Sequence, residues 1–532
     1  MKLHTNDSQF FLRHWATRLI QSPVALISIL TFLIYLRGIS AQFVAEDFIF
    51  LQPSAGTLSD VWQSILTSSR ARPVIDFFHW LMYQFFATTP HGYHLVSLTL
   101  HGINILLVHR FASWLSGSKQ IGLAAALIFA LYPRHHQPLL WMASSHVTLV
   151  YLFSLICLNC YTRFLDTKKI SWYILTLVSL VMALFTQEGS VVLFPLLVAV
   201  ELFSHLRDKP FSLSHQIKAL SINPLKKYIP IFLVFLLFLF VTFGGQRLYK
   251  LSGIQFANVE EMQSAGFQRG DAYSFTIGMD TIQDMAAYLT YAVYPHIPLR
   301  ALDPTFAAML LTAVTVLILL FSFIKGPGLA RFALISLFIS ILPFIFFTPY
   351  GNADRYFYFM SVSFSIFAAC YILTISDWVK KTFRSFPIPL STIVLTAYLL
   401  ISAWMINERI NDWQKAGELA DRILEQSVAL IPNPEPGSSI VYIGLPQQVG
   451  QAYVFTSGFS TAIDMRYGSR ADGVTFYQSH DEQAIAYLKS ADPLEKSVEN
   501  LHVVLYEDGV LKDKSNYVAD IDAIIPGSFF RW

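Results

Sequence analysis

The chain has 532 residues, 54% of them hydrophobic and 14% charged, with a formal net charge of +2 and a mean hydropathy of +0.49. A soluble domain carries about a quarter charged residues, so an ordinary globular enzyme is excluded. The small net charge, with basic residues in short loops and not in patches, argues against a nucleic-acid partner.

Lys2, Arg13 and Arg18 precede an apolar run from Pro23 to Leu36. No small-residue cleavage site follows it, which predicts an uncleaved first span. Further apolar stretches predict spans near 21–39, 93–110, 120–133, 144–163, 170–186, 189–205, 229–246, 303–323, 330–348, 355–375 and 386–406. The shortest, 120–133, needs its flanks or a thin bilayer to cross. Cys157 and Cys160 have CxxC spacing, but two thiols cannot complete a zinc site, and they read with Cys370 as small buried side chains.

With a cytoplasmic N-terminus, alternate loops carry Arg110 and Lys119; Arg163, Lys168 and Lys169; Arg207, Lys209, Lys218, Lys226 and Lys227; Lys325 and Arg331; Lys380, Lys381 and Arg384. That agrees with the positive-inside rule. The expectation is an α-helical polytopic membrane protein of about 11 transmembrane helices, in a cell membrane such as a bacterial inner membrane. Two long outer segments hold helices suited to the interface, in "SDVWQSILTSSRARPVIDFFHWLMYQFF" with Trp62, Trp80 and Tyr83, and in "TIQDMAAYLTYAVYP". Residues 1–406 form the membrane domain, and 407–532 a small extracytoplasmic α/β domain. In the latter, "NERINDWQKAGELADRILEQSVAL" reads as helix and "IPNPEPGSS" as linker. "SIVYIGLP" and "NLHVVLYEDG" read as strands, with "DEQAIAYLKS" a helix between them.

With this topology the conspicuous polar residues collect at the outer ends of spans. They are Glu46 and Asp47; Arg72; Arg134, His135 and His136; Glu188; and Asp354, Arg355 and Tyr356. Such a set suits transfer of a sugar from a polyprenyl phosphate. The leaving phosphate needs positive charge, which guanidinium supplies in a fork. The acceptor hydroxyl needs a carboxylate to take its proton. Adjacent side chains diverge, so Glu46 and Asp47 cannot both point at one acceptor oxygen. One is the base and the other anchors the loop, pairs with an arginine or touches substrate. His94, His101 and Asn104 form a polar stripe along the second span, of the kind that makes helix–helix hydrogen bonds.

At these residues the chain resembles the GT-C superfamily of membrane glycosyltransferases, most of all the transmembrane and tetratricopeptide-repeat O-mannosyltransferases and their bacterial relatives. The family's Tyr-Asp-Asp is similar to Ala45-Glu46-Asp47, and its Tyr-Arg-Pro-Leu to Ala71-Arg72-Pro73-Val74. Its Tyr-His-Leu-Val-Asn followed by Leu-His is similar to "YHLVSLTLH", with Tyr93, His94 and His101. Its His-Pro-x-His-x-Glu resembles "YPRHHQ", with Pro133 and His135; its Ser-Lys-Glu resembles "TQE", ending in Glu188; its Glu-Arg-Tyr-Leu-Tyr resembles "DRYFY", with Arg355 and Tyr356. Gln187 and Gln137 stand where the family has lysine and glutamate, and an α/β domain stands where it has repeats.

The resemblance implies the GT-C fold, a polyprenyl-phosphate-linked donor, inversion, and an acidic base in the first outer loop. Glu46 is favoured as that base because it occupies the place of the family's first acidic residue. Arg72, Arg134 and Arg355 are the expected donor-phosphate ligands, with His94, His135, Glu188 and Tyr356 in support. No cofactor is expected; a divalent ion on Glu46 or Asp47 is the alternative to a metal-free site. The acceptor stays open among glycan, lipid and protein. The competing class is a transporter or flippase of lipid-linked glycans, but that class keeps ionisable residues near the midplane and shows repeated halves, which this sequence lacks.

Overall fold

The structure, a computed structural model, describes residues 22–67, 72–206, 225–244, 278–297, 306–345, 354–383, 388–479 and 501–515. Every expected span overlaps a helix. Seven segments are long and apolar enough to cross a membrane: Pro23–Ser40, Pro90–Ser116, Met142–Thr167, Glu188–His205, Ala307–Lys325, Asp354–Thr382 and Leu390–Leu430. Four shorter apolar helices, Lys119–Ala130, Ile170–Leu184, Lys227–Thr242 and Gly328–Phe344, match the remaining spans. The protein is thus an α-helical polytopic membrane protein with a small C-terminal sheet region.

Local sequence sets where these helices begin. Helix α1 (Pro23–Tyr35) has proline in its first turn, where a missing N–H costs nothing. A sharp turn follows, and the short α2 (Asp47–Ser54) starts at the acidic pair. Helix α3 (Pro90–Ser116) opens on proline, and α4 (Lys119–Ala130) is capped by the Ser118 hydroxyl, which accepts the Ile121 N–H. Between α4 and the next long helix the chain makes a buried run of short turns around α5 (His136–Leu140). Helix α6 (His146–Thr167) is the most enclosed of the candidate spans. Its neighbours include α3 and α8 (Phe357–Thr382), while α7 (Met279–Val293) buries Tyr288 and Tyr291 against Phe357.

The polar stripe of α3 does join elements. His94 Nε2–H donates to the Ala41 carbonyl at 3.1 Å. His101 Nε2–H donates to the Ala130 carbonyl at 3.2 Å, so its Nδ1 accepts the Tyr358 hydroxyl at 2.7 Å. That hydroxyl accepts in turn from Asn104 at 3.1 Å.

Helix α9 (Leu390–Leu430) runs for 41 residues. At 1.5 Å per residue it measures about 60 Å, twice the ~30 Å hydrocarbon core. Its buried residues Ser402, Ile406, Ile410, Trp413, Gly417, Ala420, Leu424 and Ser427 recur every three or four positions, so one face stays covered along the helix. The expected domain boundary at 406/407 falls inside this helix. The apolar core is also continuous, holding Trp141 of the membrane region together with Trp413, Tyr453 and Phe459.

Beyond α9, strand β1 (Ser439–Ile443) lies between β4 (Thr475–Ser479) and β5 (Leu501–Glu507), parallel to both, and β6 (Val510–Asp513) closes the edge antiparallel to β5. Central β1 is apolar and buried from Ile440 to Ile443, as a strand covered on both faces must be. Strands β2 (Gln448–Val449) and β3 (Ala452–Tyr453) form a separate two-stranded hairpin, and helix α10 (Phe459–Tyr467) follows it. The expected strands at 439 and 501 are present. The expected helix at "DEQAIAYLKS" lies outside the described residues.

The orientation can be read by cysteine labelling. Cys157, Cys160 and Cys370 are buried and contribute little background. In sealed right-side-out vesicles, cysteine at exposed Asn433 should react with an impermeant thiol reagent, whereas cysteine at exposed Thr167 should react only after permeabilisation. The reverse pattern would invert the topology.

Candidate active site

The turn between α1 and α2 is shaped by backbone geometry. Ala45 has φ +47°, an unusual conformation for a residue with a side chain. It places Glu46 and Asp47 at the start of α2, where the helix dipole favours negative charge. Asp47 is 1% exposed. One of its oxygens accepts the Val44 N–H at 3.0 Å and the other the Ala143 N–H at 2.7 Å. Burial pushes this carboxyl up to about 8, against the pull of those two N–H groups. Asp47 therefore fastens its own turn to the segment before α6. Glu46 is half-buried, and among the described residues no hydrogen bond or ion pair ties its carboxylate. It lies within electrostatic reach of Arg355 and Tyr453. The two neighbours thus differ: Asp47 holds the loop, and the Glu46 carboxylate has no such tie among the described residues.

The three arginines are separated as clearly. Arg134 is 3% exposed and every guanidinium nitrogen is engaged: NH1 with Asp354 at 2.6 Å, NH2 with the Ile297 carbonyl at 2.5 Å, Nε with the Tyr291 carbonyl at 3.4 Å. The rings of Tyr291 and Phe357 cover it. The expectation of a donor-phosphate contact for Arg134 thus gives way to a positioning part, because its fork is already filled. Arg72 makes a fork-to-fork pair with Glu188, its Nε lying 2.7 Å from one carboxylate oxygen and its NH2 meeting the other. Arg355 differs from both. Among the described residues no carboxylate lies within ion-pair distance of it. Its guanidinium stands over the rings of Trp141 at 5.4 Å and Tyr356 at 4.9 Å, its NH2 donates to the Tyr356 hydroxyl at 3.4 Å, and the Tyr453 hydroxyl lies within its electrostatic reach. Neither acidic residue expected near it, Asp354 or Glu188, forms an ion pair with Arg355. The structure gives Asp354 to Arg134 and Glu188 to Arg72.

Asp354 anchors the "DRY" turn to the buried "PRHHQ" segment. Its second oxygen accepts from His136 Nε2 at 2.8 Å. The Trp413 indole can only donate, and it donates to His136 Nδ1 at 2.9 Å, so the His136 proton sits on Nε2. Burial lowers the His136 pKa, in keeping with a neutral ring. Gln137 adds a second tie, accepting the Arg355 backbone N–H at 3.0 Å. His135 is fully buried, bonded through Nε2 to the Ser361 hydroxyl at 2.9 Å and packed on Tyr358. Tyr356 stacks on Phe344 at 4.6 Å. His135 thus ties the turn after α4 to α8, and His94 ties α3 to the segment leading to the acidic pair.

Two residues that sequence reasoning passed over complete the picture. His146 opens α6, and its Nδ1–H donates to the Ala143 carbonyl at 2.9 Å, which leaves the lone pair on Nε2. The charges of Arg72 and Arg355 both reach its ring. A polar ring opening an apolar span in "SSHVTLV" was its available signal. Tyr453 comes from the C-terminal unit, and nothing local in the sequence marks it. Among the described residues no group of three or more His, Cys, Asp or Glu converges to hold a metal. A separate apolar cavity of about 40 Å³, lined by residues such as Tyr151, Leu158, Leu196, Ser336 and Phe359, lies among the helices, away from these charges.

No protein-family model matches the chain. Among curated proteins it is similar to protein O-mannosyltransferases. It is 24% identical over 153 residues to Protein O-mannosyl-transferase F38B6.6 of Caenorhabditis elegans, covering 27% of this chain and 21% of that protein. It is 28% identical over 178 residues to Protein O-mannosyl-transferase Tmtc1 of Drosophila melanogaster, covering 31% and 21%. The match thus spans about a fifth of the length of these relatives. Among solved structures, the apo oligosaccharyltransferase of Archaeoglobus fulgidus aligns with 91% of this chain and 69% of its own, at 10% identity and a TM-score of 0.48. ArnT from Cupriavidus metallidurans bound to undecaprenyl phosphate aligns with 93% and 94%, at 11% identity and a TM-score of 0.44.

The two ion pairs should differ sharply in their effect on stability. Arg134→Met strands a buried carboxylate and should cost about 3–5 kcal/mol, seen as a large fall in melting temperature in detergent. Arg72→Met breaks a pair whose carboxylate side chain is 56% exposed and should cost less than about 1 kcal/mol. Equal melting temperatures for the two variants would remove Asp354 from its anchoring role.

Proposed function

We propose that the protein is an integral-membrane glycosyltransferase that moves a sugar from a polyprenyl-phosphate-linked donor to an acceptor hydroxyl at the outer face of the membrane, with inversion. The observation that carries this reading is the placement of Glu46 within electrostatic reach of Arg355. One is a carboxylate and the other a guanidinium, each without an ion-pair partner among the described residues, and they lie within electrostatic reach of each other. The neighbouring charges Asp47, Arg134, Asp354, Arg72 and Glu188 are all engaged elsewhere. The similarity to O-mannosyltransferases supports the same reading.

In this mechanism the Glu46 carboxylate takes the proton of the acceptor hydroxyl as its oxygen attacks the anomeric carbon. The bond from that carbon to the phosphate oxygen breaks on the opposite face, which inverts the centre. The bonding pair leaves with the polyprenyl phosphate, and Arg355 meets the charge that builds there. The aromatic walls of Trp141 and Tyr356 exclude water around the guanidinium and strengthen that interaction. Asp47 keeps Glu46 in place by fastening its turn to the Ala143 backbone. Sugar and acceptor are set by groups other than these.

The test is turnover of labelled polyprenyl-phosphate sugars by the purified protein. Glu46→Gln should retain donor binding and melting temperature but lose transfer by about two to four orders of magnitude, the range for a removed base. Asp47→Asn should instead lower the melting temperature, since an amide NH2 cannot accept the N–H that a carboxylate oxygen accepts. Arg355→Lys should be clearly impaired although the charge is kept, because the fork is lost. Unchanged transfer in a folded Glu46→Gln, Arg355→Ala double variant would overturn the proposal.

A further inference from the structure

A short hairpin of the C-terminal unit reaches into the site. Its tip, at Gly450 and Gln451, is held against α9, where Asp412 accepts the Gln451 N–H at 3.1 Å. From there β3 carries Tyr453 to Arg355, and the next residue, Val454, accepts the Ala45 N–H at 2.8 Å. Tyr453 is 8% exposed, and its ring packs on Trp141 at 4.7 Å and Trp413 at 6.3 Å. Trp141 is also one of the two rings under Arg355. A few residues on, Gly458 has φ +78°, and a Cβ there would lie 2.3 Å from the Ala45 carbonyl oxygen. The hairpin and the turn after it thus close on the acidic loop with no room to spare.

We infer that Tyr453 is a positioning residue that holds the Arg355 guanidinium in its phosphate-facing orientation, so that the C-terminal unit completes the site instead of merely capping it. This rests on the glycosyltransferase reading above. The chemistry is one-directional. Guanidinium has no lone pair, so Arg355 donates and the phenol oxygen accepts. The indole of Trp141 and the ring of Tyr356 fix the plane of the fork, the Tyr356 hydroxyl accepts from NH2 at 3.4 Å, and a second acceptor, the Tyr453 phenol, is what leaves the fork a single rotation within that plane. The same hairpin holds Ala45 in its positive-φ conformation through Val454, and Ala45 immediately precedes Glu46. One element therefore sets the spacing of the carboxylate and the arginine together.

The experiment is a double-mutant cycle in the full-length protein, read as turnover of a labelled polyprenyl-phosphate sugar. Tyr453→Phe keeps the ring and removes the acceptor oxygen. It should leave the melting temperature within about a degree or two while lowering kcat/KM roughly ten- to a hundredfold, the range for a hydrogen bond to a charged group. In an Arg355→Lys background the same change should have little further effect, because the fork it orients is already gone. A packing role predicts the opposite, losses that multiply. Multiplying losses, or wild-type kinetics for Tyr453→Phe in a protein that does turn over the donor, would overturn this inference alone. A wild-type protein without turnover would overturn it together with the proposed function.

Discussion

The buried carboxylate of Asp354 is the constraint on which the rest of the site depends. It lies where the tenth span begins, in a setting that would reject an isolated charge by several kcal/mol. It persists because Arg134 and His136 arrive from the short turns between α4 and α6 and satisfy both oxygens. His136 is itself fixed by Trp413 of α9, and Arg134 by carbonyls at the end of α7. Four stretches of chain, distant in sequence, are thus tied through one side chain. Arg355 follows Asp354 directly, so its backbone inherits that rigidity, reinforced by Gln137.

Around this anchor the charged residues divide into two kinds. Asp47, Asp354, Arg134, Arg72 and Glu188 are bonded to protein partners, and they tie the turns between the helices together. Glu46 and Arg355 stay unpaired by ions at the mouth. Leaving two opposite charges half-buried and unbonded to each other is energetically costly, and such strain collects where a ligand completes the set. Gln137, which stands where the related family has glutamate, shows how the same position can serve the backbone: its carbonyl oxygen accepts an N–H that a carboxylate could also accept.

Helix α9 joins what composition would separate. Its buried positions from Ser402 to Ser427 tie the second part of the helix to one hydrophobic core shared by the bundle and the C-terminal sheet. At Gly417 the helix approaches the acidic loop so closely that a Cβ would lie 2.8 Å from that of Gln42. The C-terminal sheet is consequently held in one place over the bundle, and its hairpin can deliver a single tyrosine to an arginine of the membrane region.

Much was legible without coordinates. Apolar run length, interrupted by Pro, Gly and charge, located all the helical spans, because bilayer thickness and helical rise leave little freedom in where they lie. The alternation of a short apolar run with turn residues located β1 and β5, although β4, in "TFYQS", passed unnoticed because it is short and partly polar. Adjacency in the sequence implied that Glu46 and Asp47 must part, and Asp47 alone is bonded to the Val44 and Ala143 N–H groups. What tertiary structure decided was pairing. Whether a given arginine is filled or free depends on which carboxylate sits within 3 Å, and that distance is set by helix packing between residues over a hundred positions apart. Arg134 and Arg355 carry the same chemistry in the sequence, and only the fold buried one beside Asp354 and left the other facing Glu46 and Tyr453.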